Sequence, residues 1–412
     1  MSQQFANGQE VLAANGPFIF RPATPWLAAA INPTVREIIP GQVDRLIEDA
    51  LGLHDVAPYY VLGTALSLLT LLLLQSYLRC FVEHAGIRLL VVTMWITQWH
   101  APVRWGYFYP VNVEPLFLSC ATAALLTMER MRERPLWAFA LLLCPLICLG
   151  TFARESMLLL AVVFLLDRSR HLRRGVDVVF VLLPLVLSLG VVLMTRRMAV
   201  VTNDYNAWNE LVAMLSNKPV FTWLLAWFFA FGPPAIALIL SARRELWQLL
   251  STRPALMVHL AGCGVLAFVG GTDTERILGW AAPVLMVLVG VAIEEQRGAL
   301  RRAPLLVGLL VVVHIASSRM LWPIPGADID TVPLADLGVS WQGAYQLLNR
   351  LLVIENYYSN LWSYFGNRWL QAAILAFDVA FVLVVAAVIR RRLEGVTLSP
   401  ATPPALQSPG TT

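Results

Sequence analysis

Charge is scarce in this chain. Only 14% of its 412 residues are Asp, Glu, Lys or Arg, while 58% are hydrophobic. A soluble domain of this length cannot bury so much apolar surface, so the composition excludes an ordinary globular protein and points to a polytopic membrane protein. Lysine is almost absent, with Lys218 alone among 30 basic residues. The arginines come in short clusters between apolar runs, so the net charge of +4 is no sign of a nucleic-acid partner. Cysteine is sparse too. Cys80, Cys120, Cys144, Cys148 and Cys263 all fall in or beside apolar runs. Cys144 and Cys148 are one helical turn apart, but no His or further Cys stands near enough for a metal site, and the five read as small apolar core residues. The sequence has no Gly-rich phosphate loop and no dinucleotide fingerprint, which argues against a soluble nucleotide donor. Residues 1–16 are polar, without a basic stretch leading into an apolar core, so no signal peptide is expected.

What the chain has is apolar runs in quick succession. They cover 57–78, 87–100, 110–127, 135–153, 155–166, 176–194, 220–241, 255–269, 277–293, 304–322 and 370–390, roughly eleven candidate spans. The runs at 87–100 and 155–166 are short and read as re-entrant or partly buried pieces. The expected fold class is therefore all-α, a polytopic helical bundle. Arginine clusters at 130–134, 168–174, 243–253, 297–302 and 390–392 fall in alternate connections, which places them in the cytoplasm with the C-terminus. The outward set is then 1–56, 101–109, 153–155, 195–219, 270–276 and 323–369; Arg196 and Arg197 run against this assignment. Residues 1–56 are expected as an extracytoplasmic amphipathic segment. Pro22, Pro25, Pro33 and Pro40 interrupt it, and a surface helix carries Val35, Ile38, Ile39, Val43, Ile47 and Leu51 at helical spacing. Residues 57–390 form the transmembrane bundle. Its external loop at 323–369 is rich in Trp and Tyr, with a surface helix from Gln346 to Tyr357. Residues 391–412 are expected as a cytoplasmic disordered tail.

The chemistry-bearing residues gather on the outward side. Asp273, Glu275 and Arg276 lie in the short turn Gly270–Ile277 between two apolar runs. Arg154 and Glu155 sit at a bend between two others, and Glu114 stands near the start of a third. Tyr109 and His100 belong to the same side. Ionisable groups at such positions are costly to keep and tend to be functional. A plainer alternative stands beside each. Thr272-x-x-Glu275 has the form of a capping box, Glu114 that of a helix-start acid, Arg154 and Glu155 that of structural ion-pair members, and His100 that of an interfacial residue. A set of carboxylates and guanidiniums on one membrane face suits transfer from a lipid-phosphate donor. A carboxylate takes the acceptor's proton as general base, and a guanidinium holds the departing phosphate bidentately. A divalent cation bridging carboxylate and phosphate is the alternative to the guanidinium.

Four stretches resemble polytopic glycosyltransferases of the GT-C type, the bacterial mannosyltransferase-like families. They are Phe18–Leu27 with its Arg21-Pro22 pair, Tyr107–Pro115, Ala153-Arg154-Glu155-Ser156, and Asp273-Thr274-Glu275-Arg276. The resemblance runs from residue 17 to about 390. It implies a GT-C-like bundle in a bacterial inner membrane and a polyprenyl-phosphate sugar as donor. The acceptor would be a glycan, lipid or protein on the outer face. Asp273 or Glu155 would be the catalytic carboxylate, Arg276 and Arg154 would hold the donor phosphate, and Glu114, Tyr109, His100 and Glu275 would line the site. The family pattern also has a first membrane helix and, in the first external loop after it, an acid that supports catalysis; no span is read before Phe18, and the acid has no counterpart here. A transporter or flippase of lipid-linked saccharide, and a non-catalytic protein of the same architecture, are the rival functions. The topology has a direct test. Single cysteines at Arg132, Arg173, Arg244 and Arg301 should react with an impermeant reagent only in opened cells, and one at Thr272 should react in intact cells. Labelling of position 272 only after opening would overturn the outward placement.

Overall fold

The computed structural model describes residues 12–14, 21–39, 41, 57–98, 101, 113–169, 175–201, 206–318, 363–364 and 368–397. Apart from two three-residue strands, β1 (Leu12–Ala14) and β2 (Ala199–Val201), paired in parallel, the regular structure there is helical. The helices are α1 (Ala23–Ile38), α2 (Ala57–Leu78), α3 (Ala85–Thr97), α4 (Glu114–Arg130), α5 (Leu136–Ala153), α6 (Leu158–Arg168) and α7 (Gly175–Met198). There follow α8 (Ala207–Asn217), α9 (Val220–Phe231), α10 (Pro233–Ser241), α11 (Arg243–Thr252) and α12 (Pro254–Val269). The last are α13 (Thr274–Leu278), α14 (Ala282–Glu295), α15 (Arg297–Arg301), α16 (Pro304–Ser317) and α17 (Arg368–Thr397).

Five helical stretches are long and apolar enough to cross a membrane: α2, α5, α7, the α13–α14 pair and the first part of α17. The number rises to seven if the bent pairs α8–α9 and α11–α12 each count as one span, which makes the chain compatible with a multi-pass membrane protein. The eleven apolar runs thus resolve into fewer full-length helices. Helix α6, with 11 residues, covers only about 17 Å at 1.5 Å per residue, well short of a hydrocarbon core of roughly 30 Å. Helices α3 and α16 fall short for the same reason.

The bundle is centred on α13–α14. Every residue from Ile277 to Gly290 is buried, and α14 packs against α2, α3, α10 and α12. Helix α7 is the opposite case. It is apolar all round, yet only Val181, Pro184, Ser188 and Thr195 are buried, which suits a peripheral helix whose other faces meet lipid. Because lipid tails do not drive helices together, polar contacts help to hold them. Thr70 of α2 and Ser119 of α4 share a buried hydroxyl pair at 2.8 Å.

Broken helices bring the site together. Helices α8 and α9 meet at 97° and α11 and α12 at 105°. The expected single span over 220–241 breaks at Gly232, whose φ of 80° suits a residue without Cβ; Pro233 and Pro234 then restart the helix as α10. The turn after α12 passes through Gly271 at φ 134°, again a conformation open mainly to glycine. Lys218 sits at the α8–α9 corner and donates from Nζ to the carbonyls of Ala267 and Gly271, both at 2.7 Å. The single lysine therefore satisfies carbonyls left over at the C-terminal end of α12.

Two expectations for the ends of the chain change. The N-terminal helix begins well before Val35 and takes in two of the prolines. Helix α1 starts just after Pro22, carries Pro25 in its first turn and Pro33 inside, and stops at Ile38 with Ile39 extended. The expected surface helix from Val35 to Leu51 overlaps α1 only as far as Ile38, and its part from Val43 on lies outside the described residues, as do the surface helix Gln346–Tyr357 and nearly all of the 323–369 loop. At the other end, α17 continues past residue 390 to Thr397.

Candidate functional site

Four chain segments meet at one end of the bundle: the residues before α1, the start of α4, the bend between α5 and α6, and the turn between α12 and α13. Each contributes charge. Glu114 is the first residue of α4 and is 3% exposed. Its Oε1 accepts from Arg154 Nη1 and lies 3.5 Å from Arg276 Nε. Arg154 leaves α5 in an extended conformation, so its side chain points back into the bundle, where the guanidinium also stacks 4.4 Å from the ring centre of Trp280. Arg276 makes a second ion pair, with Asp273 one turn earlier. Next to this group, Arg21 Nη2 reaches Glu155 Oε1 at 3.4 Å. Burial of the Glu155 carboxyl works to raise its pKa and the Arg21 charge works to lower it; the charge prevails and the carboxyl lies below its ordinary value.

These groups border a cavity of about 950 Å³. Arg21, Arg154, Glu155, Asp273 and Arg276 form its charged part, together with Glu210 of α8. From there the cavity follows α6 and α12 away from the two turns. This stretch is walled by Leu158, Leu159, Val162, Leu266, Val269 and Val265, with Leu211 and Met214 of α8 closing it. Val265 is 61% exposed, so the apolar part is open to the protein's surface along the seam where α6 and α12 pack. Trp280 is held in the wall by His259, whose Nε2 donates to its carbonyl at 3.1 Å.

The structure therefore brings Asp273, Glu155, Arg276 and Arg154 to one cavity from two separate segments. Glu114 lies behind the wall and connects two of the arginines. Glu275 does not border the cavity. It is fully buried, and its Oε1 accepts the Ser363 main-chain N–H at 2.7 Å. The expected capping box is not formed, because Asp273 and not Thr272 occupies the position before α13, and the Glu275 side chain is engaged elsewhere. Tyr109 and His100 lie outside the described residues. Among the described residues no three His, Cys, Asp or Glu side chains converge as a metal site.

Sequence reasoning passed over Arg21, Glu210 and Trp280 as site residues. Arg21 stood inside the quoted Phe18–Leu27 stretch. Trp280 carried no signal, since nothing local distinguishes it from the other tryptophans. Comparison with known proteins finds no family model, no curated relative and no solved structure that matches the chain.

The Glu114–Arg154 pair has a measurable consequence. Breaking a buried pair by removing one partner leaves a buried charge uncompensated, at a cost of roughly 3–5 kcal/mol. Glu114→Gln should thus lower the unfolding midpoint of the purified protein clearly, and adding Arg154→Met to it should recover part of the loss. Asp273→Asn, which breaks a more exposed pair, should cost only about 0–1 kcal/mol. Equal midpoints for Glu114→Gln and the wild type would show that the pair does not hold these segments together.

Proposed function

We propose that the chain is a membrane glycosyltransferase of the GT-C type, moving a sugar from a polyprenyl-phosphate donor to a glycan, lipid or protein acceptor. The observation that carries this reading is the two-part cavity. A charged end holding both guanidiniums and carboxylates continues into an apolar groove that opens between α6 and α12. A lipid-linked phosphate has the same division, an anionic head and an apolar tail. In keeping with the arginine pattern, the site faces outward from a bacterial inner membrane, with the C-terminus in the cytoplasm. The short helices α3, α4, α6 and α16 complete a GT-C-like set of about eleven membrane segments when counted with the long ones.

In this reading the acceptor hydroxyl attacks the anomeric carbon and the carbon–oxygen bond to the phosphate breaks. Asp273 or Glu155 receives the hydroxyl proton, and the electron pair leaves with the polyprenyl phosphate. Arg276 is the residue best placed for that phosphate, because it borders the cavity while the Glu114 carboxylate lies 3.5 Å behind its Nε. An arriving phosphate competes with Asp273 for Nη2. That competition would free the Asp273 carboxylate as the donor settles. Arg154 is more deeply buried than Arg276, and its contacts with Glu114 and Trp280 give it a positioning part beside any direct hold on phosphate. A divalent cation sharing the phosphate charge is the variant in which Glu155 and Asp273 become ligands.

The test is transfer of radiolabelled sugar from a polyprenyl-phosphate donor in membranes, with abundance checked by blot. Arg276→Lys keeps the charge and loses the fork, so transfer should fall by tenfold or more, about 1.4 kcal/mol of transition-state binding. Of Asp273→Asn and Glu155→Gln, the one that removes the base should abolish transfer, by roughly 100-fold or more. Wild-type transfer by all three at normal abundance would reduce the cluster to ion pairs that brace the bundle.

A further inference from the structure

The far ends of the same helices form a second charged cavity. Helices α4 and α6 start at the candidate site and end at Arg130 and Arg168, while α12 ends at the site and starts after Arg253. Here a cavity of about 770 Å³ is lined by Arg130, Arg132, Arg134, Arg168 and Arg253, with only Glu129 and Glu133 against them. Helix α12, with 16 residues, sets the charged end of the first cavity about 24 Å from the second at 1.5 Å per residue, somewhat less than a hydrocarbon core of roughly 30 Å. The second cavity thus falls at the level of lipid headgroups on the opposite face.

Its walls are preformed. Arg168 is 5% exposed; it pairs with Asp167 at 3.2 Å, donates to the Arg132 carbonyl at 2.9 Å and lies 4.5 Å from the Phe139 ring centre. Arg132 Nη2 donates to the Thr252 carbonyl at 3.0 Å, and Arg253 Nε meets Glu129 Oε1 at 3.1 Å. These contacts fix three helix ends and hold the arginines on one rim. Arg130 and Arg134 are exposed at that rim and pair with no acid among the described residues. A rim with this excess of guanidinium donors matches a phosphate oxygen set.

We infer that this cavity binds the phosphate headgroup of an anionic phospholipid in the leaflet opposite the candidate site. The rim's depth, at the end of helices whose apolar flanks lie against lipid, favours a membrane-borne phosphate over a soluble one. Phosphate is held by Arg130 and Arg134 from the open side and by Arg253 and Arg132 from the wall. The bound lipid then bridges α4, α6 and α12, the three helices whose other ends carry the candidate site.

The experiment compares the wild type, Arg130→Gln/Arg134→Gln, and Arg243→Gln/Arg244→Gln. The last pair removes the same charge from exposed positions of α11 outside the cavity. Each protein is exposed to mixed phosphatidylglycerol and phosphatidylcholine, moved into phosphatidylcholine nanodiscs, and examined by native mass spectrometry for retained lipid. The wild type and the α11 variant should retain phosphatidylglycerol, and the Arg130/Arg134 variant should lose roughly tenfold or more of it. Equal retention by all three, or equal loss in both variants, would overturn the site in favour of general charge attraction. Displacement of a bound anion by inorganic phosphate from a wild type that retains no phosphatidylglycerol would overturn the lipid as occupant.

Discussion

A single carboxylate holds the candidate-site end of this bundle together. Glu114 sits at the first turn of α4, and its Oε1 faces Arg154 from the α5–α6 bend and Arg276 from α13. These are helix ends and a one-turn helix, where several main-chain groups have no partner within the helix. In a low-dielectric surround the charges cannot separate without exposing an unpaired ion, which makes the arrangement close to all-or-none. The negative first turn of α4 is also where a helix dipole favours a carboxylate. The elements that border the candidate cavity are therefore fastened from behind, and the cavity-facing groups, Asp273 and Glu155, are the ones with room to exchange partners.

Much of the helical layout was legible because membrane helices carry their signal in every residue. The apolar runs at 57–78, 135–153 and 255–269 fall almost on α2, α5 and α12. The breaks were harder. A continuous run over 220–241 does not reveal that Gly232 takes a positive φ, and a hydropathy pattern cannot tell a crossing helix from two bent pieces. The start of α1 was harder to place, because proline does not exclude a short helix. In α1 it stands in the first turn, where no N–H is needed, and again at Pro33, where the helix absorbs it.

At the site, the ionisable residues stood out because so few interrupt the apolar runs, and the common location of Glu155, Asp273 and Arg276 followed from placing their turns on one membrane face. Their partners could not be read off. Glu114 is 40 residues from Arg154, and only the packing of α4 against α5 and α6 makes them neighbours. Glu275 shows the limit of local motifs most clearly. Its spacing from Thr272 fits a capping box, yet the carboxylate is taken up by a main-chain group 88 residues later.

That contact shapes how the chain can vary. Glu275 grips the main-chain N–H of Ser363 and takes nothing from that residue's side chain in doing so. The hydrogen bond asks only for an N–H at position 363, which proline lacks, while the full burial of Ser363 keeps that position small. Substitution there is therefore limited by space and by proline, whereas α13 has no other carboxylate to offer in place of its own.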